Sequence, residues 1–279
     1  MVLSSHQIQV LTNGIQEASD IVMGFYGKNN LAIIQKQDGS PVTEADFASN
    51  SFLTDLLNRE FPGIPVISEE NPKPSWEERK NWDNFWILDP LDGTREFVAR
   101  NDEFAINLAL IHKSVPVFGL ISVPAKGLIY SAVRGGGSWL HRPGHPSRRL
   151  PFQNINILDN ERIVLISRSH SGSAEEAYIG FLRDKGFITR IQSAGSSYKH
   201  VLLAEGSAHL YPKLGICWEW DTAPGQIILE EAGGKVTRIS DMQPLSYNKK
   251  SFQNPDFIMW APGISPVDQQ NPGGTGNAR

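Results

Sequence analysis

The chain has a single cysteine, Cys217, among 279 residues. No intrachain disulfide can form, and every metal site built from a cysteine cluster is excluded. A reducing, cytoplasmic setting is the simplest fit to that usage. Long apolar runs are missing too. No stretch reaches the roughly 20 apolar residues that a membrane-spanning helix needs, and the beginning lacks the basic start and unbroken apolar core of a signal peptide. Nor is there an excess of basic charge. With 26 Lys+Arg against 30 Asp+Glu the net charge is -4, and the pI is near 6.0. That balance argues against a nucleic-acid polymer or an anionic membrane as principal partner. It leaves room for a local basic pocket that takes a small phosphate.

What is present reads as an ordinary globular chain, 40% apolar and 20% charged, of one large or two closely packed domains. Ile8, Leu11, Ile15, Ala18 and Val22 recur at helical steps, behind a Ser4/Gln7 capping box. A second helix is predicted over 44–60, with Thr43 as N-cap and Pro62 and Gly63 beyond its end. Short apolar runs at 65–68, 85–88, 105–111, 117–123 and 128–133 predict strands. The Gly-, Pro- and Arg-rich stretch 135–151 is the predicted boundary region. Beyond it, strands at 163–166, 188–192, 208–211, 236–239 and 257–260 alternate with helices at 174–185, 197–204 and 222–232. Residues 265–279 are polar and rich in Gly, Asn and Pro, and are expected to be a disordered tail.

The most informative segment is Phe85 to Thr94. An apolar strand delivers Asp89 at its C-terminal end, the edge at which open α/β architectures place ligands. Pro90 and Gly93 allow a tight turn that folds Asp92 back beside Asp89. Two carboxylates held so closely repel one another unless a cation lies between them, and hard oxygen ligands suit Mg²⁺. A plain surface turn is the bland alternative, because Asp, Pro and Gly all favour turns. Glu69 and Glu70 follow another apolar run, although a Glu-Glu pair is by itself usually solvated charge. Asp221 precedes a predicted helix and would serve equally well as its N-cap.

Taken in order, Glu69-Glu70, then Asp89-Pro90-Leu91-Asp92-Gly93-Thr94, then Trp220-Asp221-Thr222-Ala223-Pro224-Gly225 resemble the inositol monophosphatase superfamily of Mg²⁺-dependent, lithium-sensitive phosphatases. The segment 38–46 resembles that family's N-terminal motif, and the likeness runs from the first helix to about Trp260. Within the superfamily the chain is most similar to bacterial 3'(2'),5'-bisphosphate nucleotidases. The segments that carry this are 66–72, 89–97, 166–170, 195–199 and 210–213. Arg95-Glu96 stand where inositol monophosphatases have an uncharged pair.

The resemblance implies an α/β class fold, an alternating α/β/α/β sandwich of two domains. Residues 1–146 would carry Glu69 and the 89–94 motif, and 147–264 would carry Asp221 and the nucleotide pocket. It implies two or three Mg²⁺ ions on Glu69, Asp89, Asp92, Asp221 and the Leu91 carbonyl, with Glu70 helping a weaker ion. Water oriented by Glu69 and Thr94 would attack in line, with Asp46 accepting the Thr94 hydroxyl. Capping of the second helix through Thr43 is an equal use for Asp46. The substrate phosphate would rest on the N–H groups of Gly93 and Thr94, beside Asp92 and Asp221. Ser196, Lys199, Lys213 and His170 would meet the nucleotide. Lys199 reads equally as a solvated lysine, and His170 as a cap or packing residue. Lys213 and Pro224 depart from the subfamily's usual arginine and alanine. Lysine keeps the charge but loses a bidentate fork.

The implied reaction removes the 3'-phosphate of adenosine 3',5'-bisphosphate (PAP) to give AMP, with PAPS to APS as a companion, in support of sulfate assimilation. An inositol or sugar monophosphatase on the same scaffold is the rival enzyme, and a silent metal- or nucleotide-binding module the rival from another class. An aspartyl-phosphate phosphatase is disfavoured, because two residues rather than one separate Asp89 from Asp92.

Overall fold

The computed structural model describes residues 3–28, 32–36, 39–152, 160–168 and 172–266. In chain order they form helix α1 (Ser5–Phe25), the antiparallel strand pair β1 (Ile33–Gln35) and β2 (Pro41–Thr43), helix α2 (Glu44–Glu60) and strand β3 (Val66–Ser68). Next come the short helix α3 (Trp76–Arg79), β4 (Asn84–Asp92) and the five-residue helix α4 (Thr94–Val98). A meander follows: β5 (Ala105–His112), β6 (Val115–Val123), β7 (Leu128–Val133), β8 (Gly137–Arg142) and β9 (His145–Arg149). The rest is β10 (Glu161–Ser167), α5 (Ser173–Asp184), β11 (Ile188–Ala194), α6 (Tyr198–Glu205), β12 (Leu210–Lys213), α7 (Glu219–Glu231), β13 (Lys235–Arg238) and β14 (Phe257–Trp260). Among the described residues no helix is long and apolar enough to cross a membrane.

Alternation along the central strands sets the layers. On β4, Phe85 and Ile87 enter one core while Trp86 and Leu88 enter another, as successive side chains of a strand must. β5 repeats the division, with Ala109 and Ile111 on one side and Leu108 and Leu110 on the other. Their continuous apolar stretches, Phe85 to Leu88 and Leu108 to Ile111, follow from both faces of the sheet being covered. One face meets Leu11, Ile15, Ala18 and Val22 of α1 with Leu53 and Leu57 of α2. The other meets Ile227 and Ile228 of α7 and, beyond them, Leu210 and Phe257–Trp260 of the second sheet. Helix, sheet, helix and sheet therefore alternate.

The first sheet has seven strands in the order β3-β4-β5-β6-β7-β8-β9, parallel only at β3–β4. The second has five, in the order β11-β10-β12-β14-β13. The expected boundary region 135–151 holds β8 and β9, and the first sheet runs on to Arg149. Arg148 and Arg149 belong to β9, an exposed edge strand, where charged side chains discourage further pairing. The helix expected from 222 starts at Glu219, so Asp221 is its third residue and not its N-cap. Pro224 lies inside the helix. The expected tail lies outside the described residues from 267 onward.

Candidate active site

The site grows from an irregularity in β4. Asp89 pairs with Asn107 and Asp92 with Ala105, so two residues of β4, Pro90 and Leu91, stand opposite the single residue Ile106. Residues three apart on a regular strand face opposite ways, and the extra residue of a bulge returns Asp92 toward the side of Asp89. The turn is held by the Leu91 N–H donating to Asp89 Oδ1 at 3.0 Å and by Ser49 Oγ donating to the Pro90 carbonyl at 2.8 Å. Gly93 then adopts φ 83°, a left-handed conformation suited to glycine, and α4 begins at Thr94.

Glu69 is brought alongside by its N–H, which donates to the Leu88 carbonyl at 3.0 Å. Behind it Ser68 Oγ donates to Asn50 Oδ1 at 2.6 Å, fixing the end of β3 to α2. Asp221 arrives from α7, its Oδ2 accepting the Trp218 N–H at 2.8 Å in the manner of a capping box. Oxygen atoms of Glu69, Asp89 and Asp221 all lie within 4.8 Å of one another. Burial, then the charges of Glu69, Asp92 and Asp221, push the Asp89 carboxyl well above its ordinary range. Burial, then Asp92 and Glu69, do the same to Asp221. Such crowding is unfavourable without a cation. The Lys36 ammonium is already drawn in, 2.7 Å from Glu69 Oε1 and 2.6 Å from Glu70 Oε1. Burial works against that ammonium, but the two glutamates prevail and raise its pKa. A hard-oxygen donor set with a cation on its rim fits a divalent metal.

Both uses foreseen for Asp46 are realised by different oxygens. Oδ2 accepts the Thr43 N–H at 2.8 Å and the Thr43 hydroxyl at 2.6 Å, while Oδ1 accepts the Thr94 hydroxyl at 3.0 Å. Thr94 also lies 3.3 Å from the Leu91 carbonyl.

Asp92 is gripped by the segment between β11 and α6, with Asn107 of β5 beside it. Its Oδ2 accepts Ser196 Oγ at 2.7 Å, the Ser197 N–H at 2.6 Å, Ser197 Oγ at 2.5 Å and Asn107 Nδ2 at 3.3 Å. Ser197 Oγ also sits 3.1 Å from the Asp221 carbonyl and accepts Asn107 Nδ2 at 2.8 Å. One hydroxyl thus spans the two acidic segments.

Lys199 is not solvated. It is 3% exposed, and its ammonium donates to the carbonyls of Ala194 at 3.2 Å and Ser196 at 2.8 Å. Burial pushes it down to about 8, against the opposing charges of Asp92 and Glu96. Lys213, half-buried at the end of β12, acts on Lys199 and on His200 through its charge. His170 lies outside the described residues. Sequence reasoning did not single out Lys36, Ser197 or Asn107. Ser197 was within reach, as a serine beside Ser196 ahead of a helix, whereas a lone lysine or strand asparagine carries no local signature.

A layered α/β fold with hard-oxygen ligands gathered where a bulged strand meets a helix defines the class, a metal-dependent phosphatase scaffold. The chain belongs to the inositol monophosphatase family, whose model matches residues 5–261. It is 40% identical over 247 residues to the 3'(2'),5'-bisphosphate nucleotidase CysQ of Shigella flexneri, covering 87% of this chain and 94% of that protein. The protein of the same name from Aggregatibacter actinomycetemcomitans is 36% identical over 260 residues, covering 92% and 94%. The crystal structure of CysQ from Bacteroides thetaiotaomicron, described as a bacterial member of the family, superposes with a TM-score of 0.80 at 36% identity. It covers 91% of this chain and 96% of its own.

Proposed function

We propose that this chain is a Mg²⁺-dependent phosphomonoesterase that removes the 3'-phosphate of adenosine 3',5'-bisphosphate, giving AMP and phosphate, with PAPS to APS as a companion reaction. The observation that carries the chemistry is the convergence of Glu69, Asp89 and Asp221 within 4.8 Å, beside a Thr94 hydroxyl committed to Asp46. The bisphosphate nucleotidases at 36–40% identity support the substrate. The buried free thiol of Cys217 is consistent with a cytoplasmic setting.

Glu69, Asp89, Asp92, Asp221 and the Leu91 carbonyl would hold the metal, with Glu70 completing the set. Two or three Mg²⁺ ions held there supply charge neutralisation on the phosphate and acidify the attacking water. The protein's own part is positional. With its proton committed to Asp46, the Thr94 hydroxyl offers lone pairs to a water proton, and the Glu69 carboxylate orients the same water. No side chain becomes covalently modified. The N–H groups of Gly93 and Thr94, with Asp92 and Asp221, receive the transferred phosphate. Ser196, Lys199, Lys213 and His170 serve the nucleotide side, with Lys213 offering charge to the second phosphate. Lys199 contributes there through its field and by shaping the 194–196 backbone.

The test is phosphate release with Mg²⁺, comparing adenosine 3',5'-bisphosphate with inositol 1-phosphate at equal concentration. A kcat/KM ratio of about a hundred or more for the nucleotide, close to 3 kcal/mol of discrimination, is expected. Preference for inositol 1-phosphate would overturn the substrate assignment and leave the metal chemistry standing. Inactivity on both, with Mg²⁺ bound and the fold intact, would overturn the enzyme itself.

A further inference from the structure

The grip on Asp92 needs a rigid hand, and the hand is built from an unusual turn. Ser196 has φ 51°, a left-handed conformation that non-glycine residues adopt only when their surroundings impose it. Gly195 before it admits no side chain. A Cβ there would stand 2.5 Å from Glu96 Cγ and 2.8 Å from the Glu103 carbonyl oxygen. Residues 195–197 are therefore pressed against the loop that leads into β5.

One carboxylate of that loop reaches across. Glu103 Oε2 accepts the Gly195 N–H at 2.8 Å and Arg168 Nε at 2.8 Å, while its Oε1 accepts Arg168 Nη2 at 2.9 Å. Arg168 stands just after β10 and returns to the same segment, with Nη2 3.3 Å from the Ser193 carbonyl and its own N–H 3.3 Å from that of Ala194. A bidentate guanidinium–carboxylate pair is geometrically specific. This one fixes Glu103 so that its free direction meets Gly195. The chain of contacts runs from Arg168 through Glu103, Gly195 and Ser196–Ser197 to Asp92 Oδ2. Neither charged residue touches the acidic cluster.

We infer that Glu103, clamped by Arg168, is a positioning residue for the metal site: it sets the 195–197 turn, and that turn aims the Asp92 carboxylate. The inference rests on the reading of Asp92 as a metal ligand. The pair joins the loop before the first sheet's β5 to the ends of β10 and β11 in the second, so it also sets how the two acidic segments meet. Loss of the clamp should loosen metal binding first, with catalysis following in proportion to the ligand's misplacement.

The experiment uses the full chain with the variants Glu103→Ala, Arg168→Ala, Arg168→Lys and Asp92→Asn. Mg²⁺ affinity is measured calorimetrically, and kcat and KM for adenosine 3',5'-bisphosphate across a Mg²⁺ series. For Glu103→Ala the Mg²⁺ dissociation constant should rise about ten-fold, the lower end of the ~10–100-fold in metal affinity that loss of a ligand-orienting partner costs. The turnover lost at low Mg²⁺ should return at saturating Mg²⁺, with an unchanged circular dichroism spectrum. Arg168→Ala should show a smaller rise and Arg168→Lys a partial rescue. Wild-type Mg²⁺ affinity in both alanine variants, beside an inactive Asp92→Asn, would overturn the positioning role alone. An active Asp92→Asn would overturn the metal reading beneath it. If Glu103→Ala does not fold, the exposed Arg168→Ala decides the matter, and unaltered affinity there counts against the inference.

Discussion

Asp46 divides one carboxylate between a helix cap and the Thr94 hydroxyl of the proposed site. Its Oδ2 closes the capping box of α2 through Thr43, and its Oδ1 accepts the hydrogen bond of the Thr94 hydroxyl. The two uses separate by mutation. Thr43→Val removes a capping hydroxyl and should cost about 1 kcal/mol, a fall of roughly 2–4 °C in Tm, with kcat near normal. Thr94→Val should leave Tm in place and lower kcat by about 10²-fold or more, the scale of a lost proton relay. Melting curves and initial rates on both variants check this, and near-normal turnover in Thr94→Val would remove Thr94 from the chemistry. The acidic residues were legible because they sit in compact motifs whose turn chemistry is local. Lys36, Glu103 and Ser197 were not, because their roles come from contacts 33, 92 and 105 residues away. For Lys199 the sequence left a nucleotide contact and a solvated lysine equally open, because nothing near it in the chain reveals that the carbonyls of Ala194 and Ser196 will surround it.

At the scale of elements, α7 holds Asp221 by packing on α6, the helix that Ser197 precedes. Gly225 is the point of closest approach, where a Cβ would lie 2.2 Å from His200 Nδ1 and 2.7 Å from Cγ. His200 is 4% exposed and has no room to retreat. Gly225→Ala should therefore cost on the order of 2 kcal/mol, roughly 4–8 °C in Tm, and reduce turnover by displacing Asp221. The double variant with His200→Ala opens the space and should recover much of the lost stability, a coupling that a double-mutant cycle measures. Additive losses would show that the contact is not the cause. The longer helices were legible from periodicity, and β4, β5 and β6 from the apolar stretches at their centres, covered on both sides. The elements missed were β8 and β9, whose exposed edge sequence resembles a boundary region, and β1, β2, α3 and α4, each too short to show a period. The early start of α7 was hidden by Asp221, which satisfies a capping rule at either position.

For the molecule as a whole, two apolar cores flank the seven-stranded sheet, and the acidic cluster is the cost carried between them. Asp89 and Asp221 both hold their protons to higher pH than in the unfolded chain. Above about pH 4, the ordinary range for aspartate, the metal-free native state therefore binds more protons than the unfolded state, and its stability falls as pH rises toward the raised values. A metal bound to the deprotonated cluster replaces those protons, so its affinity climbs over the same range. Bound metal also stabilises by mass action, about 2.7 kcal/mol at a hundred times its dissociation constant. The rise in Tm on adding a fixed excess of Mg²⁺ should consequently be larger at pH 8 than at pH 5. Scanning calorimetry with and without Mg²⁺ at the two pH values measures it, with Asp92→Asn as a variant in which both the increment and its pH dependence shrink. Equal increments at both pH values would mean that these carboxylates are not the groups the metal displaces protons from.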